Sequence, residues 1–390
     1  MTEIKNNFPI WPKFNKNDEV SINRILKTGK VNYWTGNYNT NFEREFAKYH
    51  DSKYAIAVSN GSVALDIALR SLSIKKGDDV IVSSKSYFIS AACVLNLGAN
   101  PIFSDVSLET QNVELENIKK VLTKKTRAII CVHLGGRPCD IEKIVKFAKI
   151  RKIKIIEDCA QAHGASISSK KVGTFGDIGI WSFCNDKIIS TGEGGMILTD
   201  NKKLWKKIWS YKEGGRNYEK IYSVKKKNIG FNYIHDDLGI NSRMTEIQAA
   251  LGYNHLKKLD YYIKKRNQNA KFLTNIFSKF EFVKIPKQEK NILNAYYRFY
   301  IQLDLSNLKN NISRDRILEK LIKNKVPCNE GSCSEIYLEK PFKKLRKFKR
   351  LKNAKKLGEI SLSFDVNPSL SKKDLSLIKK KINKVFLNIR

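Results

Sequence analysis

The chain has 390 residues, of which 42% are hydrophobic, and its 73 lysines and arginines against 38 acidic residues give a formal net charge of +35 at pH 7. This apolar content is typical of a globular protein and excludes a disordered one. The N-terminus has no basic segment followed by an apolar run, and no apolar run is long enough to span a bilayer, so we expect a cytoplasmic protein without a membrane partner.

The positive charge suggests a nucleic-acid partner, but its distribution argues against one. Residues 341–390 carry a net charge of +13, whereas residues 155–200 carry −3. The excess therefore lies on lysine-rich helices such as FKKLRKFKRLKNAKK, and we interpret it as a solvated surface that attracts anionic substrates.

Seven scattered cysteines without a C-x-x-C pair indicate reduced thiols and no metal site.

Strand-like and helix-like segments alternate through the first two-thirds of the chain. In chain order the segments are YAIAVSN (54–60), GSVALDIALRSL (61–72), DDVIVSS (78–84), SYFISAACVLNLG (86–98), ANPIFSDV, RAIICVHL, DIEKIVKFAKIRK, IKIIED, DIGIWSFC and GGMILTD. Continuous apolar strands between helices predict an α/β fold with a mostly parallel central sheet flanked by helices.

The pattern changes near residue 245. One or two long helices are predicted over 244–277, followed by a strand at 295–303 and two further helices. We predict a large domain at 1–255 and a smaller α+β domain at 256–390. The boundary falls inside a long helix because no Gly/Pro/Ser-rich linker separates the two parts.

Gly61 and Ser62 follow the first predicted strand and begin a helix. The free N–H groups of a helix N-terminus, with a hydroxyl beside them, suit a phosphate. A purely structural helix cap would have the same sequence. Ligands of open parallel sheets gather beyond the carboxyl ends of the strands, which is where this pair stands.

Asp158 ends another apolar strand, and Gln161 follows three residues later. A carboxylate in this position must be paired or hydrated. It could hold a heteroaromatic nitrogen in its protonated form, because the attraction at ~4 Å and an effective dielectric of ~20 is about 4 kcal/mol. The alternative is an acid that caps a helix or turn.

Lys187 stands between an apolar WSF run and a T-G-E-G-G turn, in a region poor in lysine. Most lysines lie at the surface. We interpret this one as partly desolvated, with a lowered pKa that allows its amine to condense with an aldehyde. Pyridoxal phosphate carries a phosphate, a ring nitrogen and an aldehyde, and the chain offers a binding group for each: a helix N-terminus, an acid and an amine.

A series of motifs runs through nearly the whole chain: SNGSVALDIAL, SKSYFISAACVLNLGANPIFSDV, IIEDCAQAHGA, VGTFGDIGIWSFCNDKIISTGEGGMILT, NSRMTEIQAALGYNHLKKLD and LGEISLSFDVNPSLS. In this order they resemble the DegT/DnrJ/EryC1/StrS family of sugar aminotransferases, which depend on pyridoxal 5′-phosphate (PLP) and have the type I aminotransferase fold. The chain departs from the family in SSKSYF, which lacks a proline, and in Ser62, which stands where many members have threonine.

The resemblance implies roles for individual residues. Lys187 would hold the cofactor covalently and act in catalysis, Asp158 would pair with the pyridine nitrogen, Gln161 would bind the phenolate oxygen and Tyr87 would stack on the ring. The residues implied to contact the phosphate are Gly61, Ser62, Ser182 and, from the neighbouring subunit, Asn241. The last of these implies a homodimer with shared active sites. His163 we interpret as structural.

The resemblance also implies an aminotransferase that moves an amino group, with glutamate the expected donor, to a nucleotide-linked keto-sugar in amino-sugar and polysaccharide biosynthesis. Because Lys187 stands where the family's dehydratases carry histidine, transamination is favoured. A dehydratase-like enzyme, a non-catalytic regulator and a nucleic-acid-binding protein are the alternatives. The identity of the sugar depends on loops such as 211–237 and 328–342.

Overall fold

The computed structural model describes residues 8–222, 231–308, 312–343, 345 and 349–389. The predicted specificity loop 211–237 and the lysine-rich segment 342–356 therefore lie partly outside the described residues. Within those ranges no helix has both the length and the apolar composition needed to cross a membrane.

In chain order the strands are β1 (Tyr54–Val58), β2 (Asp79–Ser83), β3 (Asn100–Ser104), β4 (Thr126–Val132), β5 (Lys154–Asp158), β6 (Ser166–Ile167), β7 (Lys170–Lys171), β8 (Ile178–Ser182), β9 (Gly195–Thr199), β10 (Val283–Lys284), β11 (Ile292–Leu293), β12 (Phe299–Leu303), β13 (Cys328–Asn329) and β14 (Ser361–Phe364). Apolar, β-branched runs predict eight of the strands, β1 to β5, β8, β9 and β12, with ends that agree within a few residues, whereas the other six were not predicted.

Helices fill the intervals between the strands and often begin at a polar capping residue. They are α1 (Lys16–Thr28), α2 (Tyr38–His50), α3 (Gly61–Ser71), α4 (Ile89–Asn96), α5 (Leu115–Val121), α6 (Ile141–Ile150), α7 (Lys202–Lys212), α8 (Tyr218–Tyr222), α9 (Glu246–Leu256), α10 (Leu259–Phe277), α11 (Arg314–Lys323), α12 (Lys340–Lys343), α13 (Lys352–Ile360) and α14 (Lys372–Leu387). Side chains of Asn60, Thr245, Ser313 and Ser371 accept hydrogen bonds from the first turns of their helices, as N-caps do.

A seven-stranded sheet in the order β1-β9-β8-β5-β4-β2-β3 forms the centre of the large domain. Four of its strand pairs are parallel, and the two pairs that involve β9 are antiparallel. The mostly parallel sheet predicted from the sequence is confirmed. Side chains alternate across it: on β5, Ile156 packs into the core on one face and Ile155 into the core on the other.

The C-terminal part of the chain forms a four-stranded antiparallel sheet, in the order β10-β12-β14-β13, that is covered by helices. Phe277 of α10 stacks on Phe299 and contacts Phe364 and Phe386, which joins the sheet to α10 and α14. This is the smaller α+β unit expected from the sequence.

The two cores share elements. Leu259 and Ile263, early in α10, pack in the large domain, whereas Leu273 and Ile276, later in the same helix, pack in the small one. The residues that return from the C-terminal part to the core of the large sheet are Ile336, Tyr337 and Phe342. The boundary between residues 255 and 256 stays a prediction. It lies near the end of α9, and α10 begins a few residues later as a separate helix.

Candidate active site

A cleft of about 820 Å³ lies between the two domains, at the carboxyl ends of the large sheet's parallel strands. Seven of the eight residues singled out in the sequence line it: Gly61, Ser62, Tyr87, Asp158, Gln161, Ser182 and Lys187. The eighth, Asn241, is exposed and pairs with Glu213 through its backbone, outside the lining of the cleft.

The N-terminus of α3 forms one wall of the cleft. The side chain of Asn60 accepts a hydrogen bond of 2.9 Å from the N–H of Val63 and so caps the helix. Glycine is required at position 61 because a Cβ there would lie 2.6 Å from the Cβ of Ser182, at the end of β8. This close approach places two hydroxyls, those of Ser62 and Ser182, beside the positive end of α3, where an anion binds well.

Asp158 is positioned by β5, whose last residue it is. Its Oδ1 accepts a hydrogen bond of 3.1 Å from the N–H of Ala160, and the hydroxyl of Ser90 lies 3.5 Å from its Oδ2. The carboxyl group is buried, and burial raises its pKa above the ordinary value although these two donors oppose the shift. A protonated ring nitrogen beside it would supply the partner that a buried carboxylate needs.

Gln161 has a fixed amide orientation. Its Oε1 accepts a hydrogen bond of 2.7 Å from the N–H of Gly135, so its NH₂ group is the end left to face the cleft. That nitrogen lies 3.5 Å from the hydroxyl of Ser332. The side chain can therefore donate a hydrogen bond to an oxygen anion in the cleft.

Lys187 lies in a loop after β8 that the N-terminal segment holds in place. The indole nitrogen of Trp11 donates a hydrogen bond of 2.8 Å to its carbonyl oxygen. Its Nζ lies 3.2 Å from Oδ1 of Asp186 and 4.8 Å from the ring centroid of Tyr297, whose hydroxyl donates to the same carboxylate. The side chain is 15% exposed and faces the cleft.

The predicted lowering of the Lys187 pKa is wrong. Burial does lower it, but the neighbouring Tyr297 and Asp186 together outweigh burial and raise the pKa above the ordinary value. The apolar flank in the sequence suggested an environment without a counter-charge. The carboxylate is the adjacent residue, and the phenol comes from the distant segment just before β12.

Several residues that line the cleft escaped the sequence analysis: Asp186, Tyr297, Arg298, Tyr300 and Ser332. Asp186 could have been predicted as a site residue because it is adjacent to Lys187 in the sequence. The other four belong to the small domain, and only its docking onto the large sheet brings them to the site. The predicted strand AYYRFYIQL contained three of them without any local signal of a role.

Lys85, in the SSKSYF stretch, is fully buried behind the wall of the cleft. Its Nζ donates hydrogen bonds of 3.0 Å to the carbonyl of Ser332 and to the hydroxyl of Ser334, and thus fastens this part of the small domain to the end of β2. Among the described residues no carboxylate forms an ion pair with it. Burial lowers its pKa to about 7.

A second group of ionisable residues lies behind the site. Glu157 accepts hydrogen bonds from the N–H groups of Gly173, Phe175 and Gly176 and from Nε2 of His133, whose Nδ1 accepts from the N–H of Cys139. The ligand atoms of His133, Glu157 and Cys159 lie within 4.8 Å of one another, as in a metal site. Because the backbone already occupies the carboxylate and Nδ1, we interpret the group as a structural network.

His163 is also buried, and burial, followed by the charge of Lys187, lowers its pKa to about 3. The neutral ring lies 5.7 Å from that of Phe183, between centroids. Its interpretation as a structural histidine stays a prediction.

Comparison with known proteins identifies the class. A model of the DegT/DnrJ/EryC1/StrS aminotransferase family matches residues 12–383. The aminotransferase from Psychrobacter cryohalolentis, of known crystal structure, superposes with a TM-score of 0.95 and 44% identity over 98% of this chain and 99% of that one. GDP-perosamine synthase of Escherichia coli O157:H7 is 36% identical over 380 residues, which cover 97% of this chain and 98% of the relative.

A more distant similarity is to the E. coli GDP-4-keto-6-deoxy-D-mannose-3-dehydratase, solved with bound hydrated PLP. It has a TM-score of 0.84 and 23% identity, and covers 97% of this chain and 99% of the other. The fold is therefore that of the PLP-dependent aminotransferases. The chain belongs to the DegT/DnrJ/EryC1/StrS aminotransferase family, and PLP is its cofactor.

The cleft fits this cofactor. A Cβ at Gly61 would fill the space at the start of α3, and among the described residues none forms an ion pair with the buried Asp158. The amine of Lys187 and the amide nitrogen of Gln161 face the same space. Phosphate, ring nitrogen, ring oxygen and aldehyde thus each have a matching group among the residues present.

The substitution Gly61→Ala should weaken cofactor binding by about 10-fold or more, because the new Cβ forces α3 away from Ser182 and charge-assisted bonds to the phosphate are lost. Titration of the apoprotein with PLP, followed by absorbance, measures the change. The matched control is Gly358→Ala in α13, where the nearest atom lies 3.5 Å from the new Cβ. Equal affinity of wild type and Gly61→Ala would contradict this assignment.

Lys85→Met should change how stability depends on pH. The folded protein holds this lysine with a pKa of about 7, and the ordinary value is 10.5, so above pH 7 the folded state binds fewer protons than the unfolded state. Wild type should therefore gain stability relative to Lys85→Met as pH rises from 7 to 9, by at most about 1.4 kcal/mol per pH unit.

Urea unfolding of the apoproteins at pH 6.5 and pH 9 measures this difference. The exposed Lys76→Met serves as control and should show no such trend. A stability difference between wild type and Lys85→Met that is the same at both pH values would show that the buried amine does not titrate as described.

Proposed function

We propose that the protein transfers an amino group from an amino-acid donor, expected to be glutamate, to a nucleotide-linked keto-sugar and so makes an amino-sugar for polysaccharide biosynthesis. The observation that carries the proposal is the convergence of Lys187, Asp158, Gln161 and the N-terminus of α3 on one cleft. The name of the relative GDP-perosamine synthase supports a nucleotide-sugar substrate.

In this proposal each residue has a distinct task. PLP, when bound, supplies an aldehyde and an electron-withdrawing ring that together allow an amino group to be taken up and passed on. Lys187 would hold the cofactor covalently and, when its amine is free, would move a proton at its Nζ as general base. Asp158 would keep the proton on the ring nitrogen, Gln161 would donate to the ring oxygen and Tyr87, at the cleft's exposed edge, would cover the ring.

Asp186 and Tyr297 position the Lys187 amine in this scheme. Both lie against its Nζ and raise its pKa, which means that they hold the proton on the amine. The hydroxyl of Tyr297 also donates a hydrogen bond to the carboxylate of Asp186, which keeps the two groups together beside the amine.

We further propose that two chains form a homodimer in which Asn241 of each contacts the phosphate in the partner's cleft. Asn241 is exposed, and the stretch before it carries four exposed large hydrophobic residues: Phe231, Tyr233, Leu238 and Ile240. An apolar surface of this kind on a folded chain is typical of an interface.

The seven free cysteines support placement of the enzyme in the reducing cytoplasm.

Wild-type protein should be yellow, and borohydride should fix the cofactor on Lys187, as peptide mass spectrometry would show. Lys187→Ala should lose the colour and about 10²–10⁴-fold of the activity, because the general base is gone. The exposed Lys170→Ala is the control and should behave as wild type. Colour and turnover that survive in Lys187→Ala would refute the assignment.

A panel of keto-sugars linked to GDP, UDP or dTDP, supplied with glutamate, tests the reaction itself. Release of 2-oxoglutarate together with an aminated sugar supports the proposal. A deoxygenated sugar without nitrogen would indicate a dehydratase, and the absence of any product with a cofactor-loaded enzyme would favour a regulator.

The shared site predicts complementation between two defective chains. Asn241→Asp places a carboxylate next to the partner's phosphate and should lower activity strongly. Random mixing of Asn241→Asp and Lys187→Ala protomers should restore about a quarter of the wild-type sites, because half of the dimers are mixed and each contains one intact site. Mixtures that stay inactive after verified subunit exchange would contradict a site built across two chains.

A further inference from the structure

The turn at residues 133–139 follows β4 and begins beside Asp158. The N–H of His133 donates a hydrogen bond of 3.1 Å to the carbonyl of Asp158, and the N–H of Gly136 donates one of 3.3 Å back to the carbonyl of His133. Gly135 and Gly136 have φ angles of 66° and 94°, in the left-handed region that favours glycine. The backbone of the turn is therefore tightly folded next to the acid of the cleft.

The ring of His133 holds the two ends of this turn together. It is fully buried, and its Nδ1 accepts a hydrogen bond of 3.1 Å from the N–H of Cys139. Because a backbone N–H can only donate, we assign the ring proton to Nε2, which lies 3.1 Å from Oε2 of Glu157. Three backbone N–H groups between residues 173 and 176 hold that carboxylate in place. The imidazole thus fastens the turn to β5.

Hydrogen bonds run from this turn to Gln161 and to the small domain. The N–H of Gly135 donates one of 2.7 Å to Oε1 of Gln161, and the carbonyl of Gly136 accepts one of 2.9 Å from the N–H of Ala295. A Cβ at Gly136 would lie 2.7 Å from the backbone nitrogen of Tyr296, so the turn and this segment are in close contact. A displacement of the turn therefore moves the group that binds Gln161.

The N–H of Gly135 selects which end of the Gln161 amide faces the cleft. The oxygen and the NH₂ group of an amide have nearly the same shape, so packing does not distinguish them. The hydroxyl of Ser332, 3.5 Å from the amide nitrogen, can donate or accept and therefore tolerates either orientation. A backbone N–H binds only the oxygen, and this leaves the NH₂ group for the cleft.

We propose that His133 is a positioning residue for the contact between Gln161 and the ring oxygen of the cofactor. It acts through the turn, by keeping the N–H of Gly135 on the oxygen of Gln161. This role rests on the proposed function, which assigns Gln161 to that ring oxygen. When the turn is released, the amide can rotate and present its own oxygen to the anionic ring oxygen, which repels it.

The absorbance of the bound cofactor reports this contact. The colour of bound PLP changes with pH as its ring oxygen gives up its share of a proton, and a donated hydrogen bond favours the deprotonated oxygen. Loss or reversal of the donor therefore raises the midpoint pH of the colour change. Substitution of His133 leaves unchanged the charged groups that line the cleft, which are Asp158, Asp186, Lys187, Glu193, Arg298 and Glu339.

The test is a pH titration of absorbance with PLP-loaded wild type and His133→Leu. The midpoint should be higher in the variant by about one pH unit, the equivalent of one hydrogen bond to a charged group. His133→Asn can still accept from the N–H of Cys139, and His133→Gln can still donate to Glu157, so each should recover part of the shift. The control is His50→Asn, which changes a buried histidine of α2 outside the lining of the cleft and should titrate as wild type.

A double-mutant cycle distinguishes positioning from a general loss of structure. Gln161→Leu should raise the midpoint by itself, and the addition of His133→Leu should raise it no further, because the contact is already absent. In the apoprotein, hydrogen exchange at the Gly135 amide, followed by NMR, should be about 10-fold faster in His133→Leu. Circular dichroism and PLP affinity establish folding, and His133→Asn and His133→Gln provide the same comparison where His133→Leu does not fold.

The outcomes separate this role from the proposed function. A midpoint that rises in Gln161→Leu but stays at the wild-type value in the His133 variants overturns the positioning role alone. Equal rises from His133→Leu with and without Gln161 overturn it too, because the effect then does not pass through the amide. A wild-type midpoint in Gln161→Leu overturns both this role and the assignment of Gln161 to the ring oxygen.

Discussion

Two adjacent carboxylates at the end of β5 point to opposite faces of the sheet, and the site depends on this alternation. Glu157 turns away from the cleft and binds three backbone N–H groups and His133, which fixes the loop after β7 and the end of β4. Asp158 turns toward the cleft with a single strong donor and a raised pKa. A register shift of one residue would exchange the structural acid and the functional one.

The site also depends on a fixed orientation of the two domains relative to each other. The cleft has one wall from the large sheet and another from β12 and the segment around Ser332, and the domains are joined by α10, which belongs to both cores. The Nζ of Lys85 also joins the two domains, because it donates hydrogen bonds to the carbonyl of Ser332 and the hydroxyl of Ser334. Such a site is assembled by docking, so its shape depends on packing far from the reacting groups.

The seven strands of the large sheet, several of the helices between them and the residues at strand ends were predictable because they follow from periodicity, from turn residues and from the rule on carboxyl ends of parallel strands. Tyr297 and Arg298 were not, because nothing local distinguishes a strand residue that faces a cleft from one that faces solvent. The pKa of Lys187 was predicted in the wrong direction for the same reason, since Tyr297 lies over a hundred residues away in the chain. Asn241 was identified only by resemblance, and its contact with a partner stays a prediction.

The bond from the indole of Trp11 to the carbonyl of Lys187 ties the beginning of the chain to its reactive loop. An indole held there lies close to a chromophore that absorbs in the near ultraviolet and the blue. Its fluorescence will therefore be quenched by energy transfer when the cofactor is bound. The tryptophan fluorescence of the native protein thus reports the fraction of sites that hold cofactor.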